Sequence, residues 1–328
     1  MALSARDIRG LLHHRIIPAL PVPFTIERTV HHESHVRMAD YLLDMPIAGV
    51  AVWAHTGRGL YLSETERAEI LTHWRDSMQT ALIIAGAGCP AMDTIRSDDE
   101  YVNGARQMAE HAKSLGADAI LCYPPTRFWD REERERDEAV IEYHHQLALV
   151  GLPLILFYLY QSAGGVAYSS HVLNELFKLP DVIGIKMATL DSVVTFQDVS
   201  RAIKAEHPDR LLITGEDRFL GYSLMMGADS ALIGMGSAMT ELQTEMMKAF
   251  YKQDFNNFFY RSQFVDRFAM ATFHDPIEGY ISRMLYALSW MEIVAPSAIY
   301  DPWGPTLENS DLDAIGDFLT ALPTELKR

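Results

Sequence analysis

The sequence predicts an α/β fold, a (β/α)8 barrel followed by a C-terminal helical region, and three observations carry that prediction. Short apolar runs rich in β-branched residues, each followed by a helix-like segment, recur eight times between residues 16 and 239. Alternating β and α units imply a parallel sheet joined by right-handed crossovers. Eight such units in about 235 residues fit a closed barrel better than an open doubly wound sheet. Nor does any GxGxxG follow the first strand, so the fingerprint of a dinucleotide-binding sheet is absent.

Taken in order, residues 4–12 read as a short helix and IIPALPVPF (16–24) as the first strand entering a proline-rich loop. HESHVRMADYLLDM (32–45) is helical by the spacing of Val36, Ala39, Leu42 and Leu43. GVAVWAHTG (49–57) is the second strand, and SETERAEILTHW its helix, opened by a capping box of Ser63 and Glu66. ALIIAGAG (81–88) precedes a helix over 97–115, and ADAILCYPP (117–125) precedes a charged helix from Asp130, whose charge reads as a solvated face. GLPLILFYLY (151–160), VIGIKMAT (182–189), LLITGED (211–217) and SALIGMGSAM (230–239) complete the strands, with helices at SSHVLNELFK, DSVVTFQDVSRAIKA and RFLGYSLMMG between them. After residue 238 no further strand is evident. Three helical stretches, near 240–270, 276–292 and 309–321, make residues 239–328 a helical region beside a barrel of residues 1–238. Phe255, Phe258, Phe259, Phe264 and Phe268 are expected to pack on the barrel or on another subunit.

The net charge is −16 and no lysine or arginine run offers a phosphate-binding stripe, which argues against nucleic acid. The same charge repels small anions at long range, so an acidic substrate needs local cations or backbone N–H groups. Two cysteines, Cys89 and Cys122, give neither a disulfide framework nor a zinc pattern. The paired histidines (13 and 14, 31 and 32, 144 and 145) diverge on helix or strand, and no HExxH occurs. With no signal-peptide core and no run long enough to span a bilayer, the expectation is a soluble cytoplasmic protein with no membrane partner.

Chemistry in such barrels sits at the C-terminal strand ends. The ends here carry His55, Thr56 and Gly57, then Tyr123, then Tyr158 and Tyr160, then Lys186, Glu216 with Asp217, and Gly234 with Gly236. Alternation puts Ile183 and Ile185 on one face of the sixth strand and Val182, Gly184 and Lys186 on the other. A buried lysine either pairs with a carboxylate, reaches solvent along its stem, or loses its proton and becomes a nucleophilic amine. An amine, a nearby phenol and a hydroxyl–glycine loop form a chemical set. The amine condenses with a 2-oxo acid, the phenol shuttles a proton, and the loop holds the carboxylate.

These residues resemble the dihydrodipicolinate synthase / N-acetylneuraminate lyase family of Schiff-base (class I) aldolases. GIKMAT (184–189) is similar to its GIKEATG strand, LFYLYQSAGG (156–165) to its YNxPxRTG stretch, and AHTGRG (54–59) to its GTTGE loop. TGEDRFL (214–220) and HDPIEGYISRMLYALSWM (274–291) resemble its GxD turn and NPIPVK-type helix. The resemblance implies Lys186 as the imine-forming residue, Tyr158 as proton relay, and His55, Thr56, Gly57, Arg58 and Gly236 as substrate-binding residues. It implies a homo-oligomer, tetramer or dimer, acting on a small 2-oxo acid with no metal or other cofactor. The chain departs from the family at Ala163, where dihydrodipicolinate synthases carry an arginine, and at His55 and Arg58 within the loop. Arg58 is a candidate replacement for that arginine, against an ion pair with Glu64 or Glu66. The expected activity is aldol cleavage or condensation, or dehydration, of a 2-oxo-3-deoxy acid. The alternatives are dihydrodipicolinate synthase itself, a hydratase-aldolase for aromatic adducts suggested by Phe128 and Trp129, and a barrel that only binds 2-oxo acids.

Overall fold

The computed structural model describes residues 3–91, 94–190 and 192–326. Met1 and Ala2 of the N-terminal segment and Asp191, where the helix after the sixth strand was expected to begin, lie outside them. Eight parallel strands run in the order β1-β8-β7-β6-β5-β4-β3-β2. They are β1 (Ile16–Pro18), β2 (Gly49–Val52), β3 (Leu82–Ala87), β4 (Ala119–Cys122), β5 (Leu154–Leu159), β6 (Val182–Ala188), β7 (Leu211–Thr214) and β8 (Ser230–Ile233). Past the end of β1 a bridge between Ala19 and Ala51 joins it to β2 and closes the barrel. All eight expected strands are present, each shorter than the apolar run that announced it, because the residues beyond each strand end bend into the loops of the mouth.

The helices of the ring follow their strands: α2 (His32–Leu43), α3 (Glu64–Ser77), α4 (Asp98–Ser114), α5 (Glu133–Ala148), α6 (Ser170–Phe177), α7 (Val193–Glu206), α8 (Leu220–Met225) and α9 (Thr240–Tyr251), with α1 (Ala5–Leu12) preceding β1. The expected capping box opens α3, with Ser63 accepting from the Glu66 amide and Glu66 accepting from the Ser63 amide. Helix α1 inserts Ile8 and Leu12 into the interior apolar cluster of the barrel. Two expectations need correction here. Helix α2 buries Met38, Ala39 and Leu42, while Val36 and Leu43 are exposed, so its apolar face is rotated from the one expected. The single helix expected near 240–270 is two, α9 and α10 (Phe255–Thr272). Gln253 at φ 61 breaks the run, and Asp254 caps the second helix by accepting from the Asn257 amide.

Helices α11 (Tyr280–Trp290) and α12 (Asn309–Ala321) end the chain. Phe258 and Phe268 of α10 pack in the core, whereas Phe255 and Phe259 face outward. Between α10 and α11 a short turn, Ile277–Gly279, carries Glu278 to the carboxyl-end mouth of the barrel. Among the described residues no helix is long and apolar enough to cross a membrane.

Candidate active site

Lys186 lies on β6, laterally paired with Phe157 of β5 and Ile213 of β7. Its side chain is 5% exposed, and its Nζ stands 4.3 Å from the centre of the Phe157 ring. Gly215 makes room for it, since a Cβ at that position would fall 2.5 Å from the lysine Cε. Among the described residues no carboxylate lies within ion-pairing distance of Nζ. Burial therefore pushes the amine down to about 8, against the opposing charges of Asp217 and Glu216. Those two carboxylates, at the end of β7, are themselves buried. Glu216 accepts from the Thr189 amide (2.6 Å) and hydroxyl (2.8 Å) and the Leu190 amide (2.9 Å), and Asp217 from the Met235 amide (2.7 Å). Burial raises each to about 7. Desolvation thus moves Lys186 toward the free amine and Asp217 toward the protonated acid.

The structure does not bring Tyr158 to Lys186. Tyr158 packs against the apolar layer between barrel and helices, edge-on to Tyr168, with ring centres 6.2 Å apart. Phe157 and Leu159 take the inner face of β5. The reason is register. Phe157 pairs with Lys186 and Tyr158 with Met187, and in a parallel sheet lateral partners share a face. A bulge where Leu154 pairs with Val182 but Ile155 with Gly184 leaves Ile183 unpaired. It also divides Ile183, in the interior cluster, from Ile185, in the outer one, against the strict alternation expected. The phenol that does reach the interior is Tyr160, just beyond the strand.

Across the barrel, β2 runs into the turn His55–Gly57. Trp53 and Arg58 both take left-handed φ, 54° and 53°. Gly59 passes so close to Trp53 that a Cβ there would meet its carbonyl oxygen at 1.9 Å. The Gly57 and Arg58 amides donate within the turn, to the Ala54 and His55 carbonyls. The buried Thr56 hydroxyl shares a 3.0 Å hydrogen bond with the Tyr280 hydroxyl. Arg58 is not a surface residue paired with Glu64 or Glu66. It is 6% exposed and donates Nε (3.1 Å) and Nη2 (2.8 Å) to Asp301 and Nη1 (2.6 Å) to Glu278. With both carboxylates engaged, its charge is spoken for.

Glu278 bridges the ends of β2 and β5. It accepts from His55 Nε2 at 3.0 and 3.1 Å, from Arg58, and from the Tyr160 hydroxyl at 2.8 Å. Burial alone would raise its carboxyl. The His55 hydrogen bond, the charges of His55 and Arg58, and the Tyr160 hydroxyl outweigh burial and hold it at about 2. Tyr160 moves the other way, since burial and then the neighbouring Tyr280 and Glu278 keep its phenol protonated. Gly236 sits away from this network. A Cβ on it would meet Ile233, Ile16 and Pro18, whereas Gly234 is the glycine that faces Thr56 and Tyr280. Glycine content alone could not separate the two.

A cleft of about 450 Å³ opens beside the mouth, lined by His55, Arg58, Tyr61, Tyr101, Tyr123 and Arg127 among others. Lys186 does not line it. Trp129 and Tyr158 face a second cleft with Thr189 and Thr195, while Phe128 is buried in the outer core. Among the described residues no cluster of three or more histidine, cysteine or acidic side chains has the arrangement of a metal site. Sequence reasoning placed Tyr160 at a strand end without giving it a role, and missed Phe157, Glu278 and Asp301. Register would have exposed Phe157 and the inward turn of Tyr160. The acids come from more than 200 positions away, and only the charge of Glu278 in HDPIEG hinted at a polar contact.

Fold and site together have the make-up of a lyase of the class I aldolase type. The chain belongs to the Dihydrodipicolinate synthetase family, which it matches over residues 12–321. It is 25% identical over 246 residues to an uncharacterised DapA-like lyase of Thermococcus kodakarensis, covering 74% of this chain and 78% of that one. It is 28% identical over 236 residues to the N-acetylneuraminate lyase of Escherichia coli, covering 71% and 70%. The solved structure of YagE, a prophage protein of the dihydrodipicolinic acid synthase family from E. coli K12 in complex with pyruvate, superposes with a TM-score of 0.79. It is 19% identical and covers 93% of this chain and 97% of that one.

Proposed function

We propose that the protein forms an imine between Lys186 and pyruvate or a related 2-oxo acid, and makes or breaks a bond in a 2-oxo-3-deoxy acid through the derived enamine. The observation that carries this reading is the desolvated Lys186 amine, set over Phe157 with no ion-pairing carboxylate among the described residues and held near 8. At pH 7 roughly a tenth of such an amine is unprotonated, a few hundred times the fraction of a solvated lysine, and the free amine attacks a carbonyl. The substrate carboxylate is received across the barrel by the Thr56 hydroxyl and the amides of His55 and Thr56, in the turn that faces Gly234. YagE's complex with pyruvate, on the same fold, is in keeping with a substrate of this size. The reading includes a cytoplasmic homo-oligomer, for which exposed Phe255, Phe259 and Met270 along α10 provide apolar surface.

The test is reductive trapping. The protein is incubated with pyruvate, treated with borohydride and mapped by mass spectrometry. The expected result is one modified peptide, containing Lys186. Modification spread over surface lysines, or none with any 2-oxo acid, would overturn the reading.

A further inference from the structure

The imine needs a group that moves the proton on the carbon next to it, and the structure leaves few candidates. Phe157, the side chain against Lys186, has no hydroxyl, and Tyr158 faces the helix layer. Three phenols at the mouth have committed hydroxyls. Tyr160 donates to Glu278, Tyr123 donates to the Trp53 carbonyl at 2.9 Å, and Tyr280 shares its hydrogen bond with Thr56. His55 is different. Glu278 is an ionised carboxylate and can only accept, so the 3.0 Å contact fixes the proton on His55 Nε2. Nδ1 has no hydrogen-bond partner among the described residues. The ring lies between Tyr160 and Tyr280, with centres 6.1 and 6.4 Å away, and lines the cleft at the mouth. In the strand order β2 and β6 are four places apart, opposite one another across an eight-stranded barrel. A barrel of eight strands has an interior only wide enough for side chains or one small ligand. An imine extending from Lys186 toward the carboxylate-binding turn therefore brings its C3 toward His55.

We propose that His55 is the general base and acid of the reaction, oriented by Glu278, and that it does the work of a phenol missing beside the lysine. This rests on the imine reading above. In the step, His55 Nδ1 takes a proton from C3 of the protonated imine. The C3–H electron pair becomes the C2–C3 double bond and the C2–N π pair returns to nitrogen, giving a neutral enamine and a histidinium paired with Glu278. In the cleavage direction the base takes the C4 hydroxyl proton, the C3–C4 bond pair forms the enamine, an aldehyde departs, and histidinium returns its proton to C3. Hydrolysis then frees Lys186 and the 2-oxo acid. Glu278 is a positioning residue, and Arg58, Tyr160 and Tyr280 are the other ionisable groups that face it or His55.

The experiment follows exchange of the pyruvate methyl protons with D2O by NMR, alongside borohydride trapping, in the full-length protein. His55→Asn is expected to keep adduct formation at Lys186 and to slow exchange by about 100-fold or more, the usual range for loss of an acid–base group. His55→Ala is expected to regain part of the exchange with added imidazole. Glu278→Gln is expected to lower the exchange rate at saturating pyruvate with little change in half-saturation, and Glu278→Asp to recover most of it. Exchange at the native rate in His55→Asn, with the adduct still formed, would overturn the assignment and leave the imine reading intact. Loss of exchange in Tyr160→Phe alone, with His55→Asn normal, would overturn it in favour of the phenol. Native protein that forms neither adduct nor exchanged product would overturn both.

Discussion

The two sides of the barrel mouth treat charge in opposite ways. On the β2 side every ion has partners. Arg58 is held by Asp301 and Glu278, and Glu278 in turn by His55 and Tyr160. On the β6 side one ammonium is set against an aromatic face with no carboxylate of the described residues in contact, and Glu216 and Asp217 beside it accept from backbone amides. Buried charge is tolerated only when paired, and otherwise the group gives up its ionisation. The β2 side is therefore built to stay charged and fixed, while the β6 side shifts its lysine toward the free amine. An ordinary ion-paired lysine would have made the two sides alike.

Breaking the β6 side should have the largest effect. On the proposed mechanism Lys186→Ala removes the nucleophile, and turnover of any 2-oxo acid substrate should fall by about 10⁴-fold or more. A steady-state assay with the folded variant, checked by circular dichroism, measures this. Breaking the β2 side should be felt first in stability. Asp301→Asn leaves Arg58 dependent on Glu278 alone and should cost about 3 kcal/mol, the low end for a half-broken buried pair, read from the denaturant midpoint. Glu278 links that side to pH. Its folded value is depressed from 4.5 to about 2, so its contribution is fully present above about 4.5 and is lost as pH falls toward 2. Glu278→Gln should remove that part of the acid unfolding profile, which thermal melts between those pH values would show. The smallest effect belongs to Tyr158→Phe. With its ring in the helix layer, activity should stay within about twofold of native, and a larger loss would mean that the face assignment of β5 is wrong.

How far the sequence reaches follows the same division. The eight strands, the capping box at Ser63 and the enclosed lysine were legible because each rests on local pattern: a β-branched run, a four-residue cap, one cation in an apolar strand. The face that Tyr158 takes was not legible because both faces of β5 are apolar. Alternation then says that neighbours face apart without saying which faces inward, and the bulge at Ile183 shifts the pairing that would decide it. Arg58 was visible as a cation, but its partners at 278 and 301 arrive through tertiary folding of the helical region. Gly236 and Gly234 differ only in which wall each meets.

The most direct test of the central claim is the rate of borohydride-trapped adduct formation between pyruvate and Lys186 as a function of pH. A desolvated amine held near 8 predicts a rate that climbs with pH to a plateau at about that value. A rate that keeps climbing toward about 10.4, the range of a solvated lysine, would contradict it and return Lys186 to the role of an ordinary charged side chain.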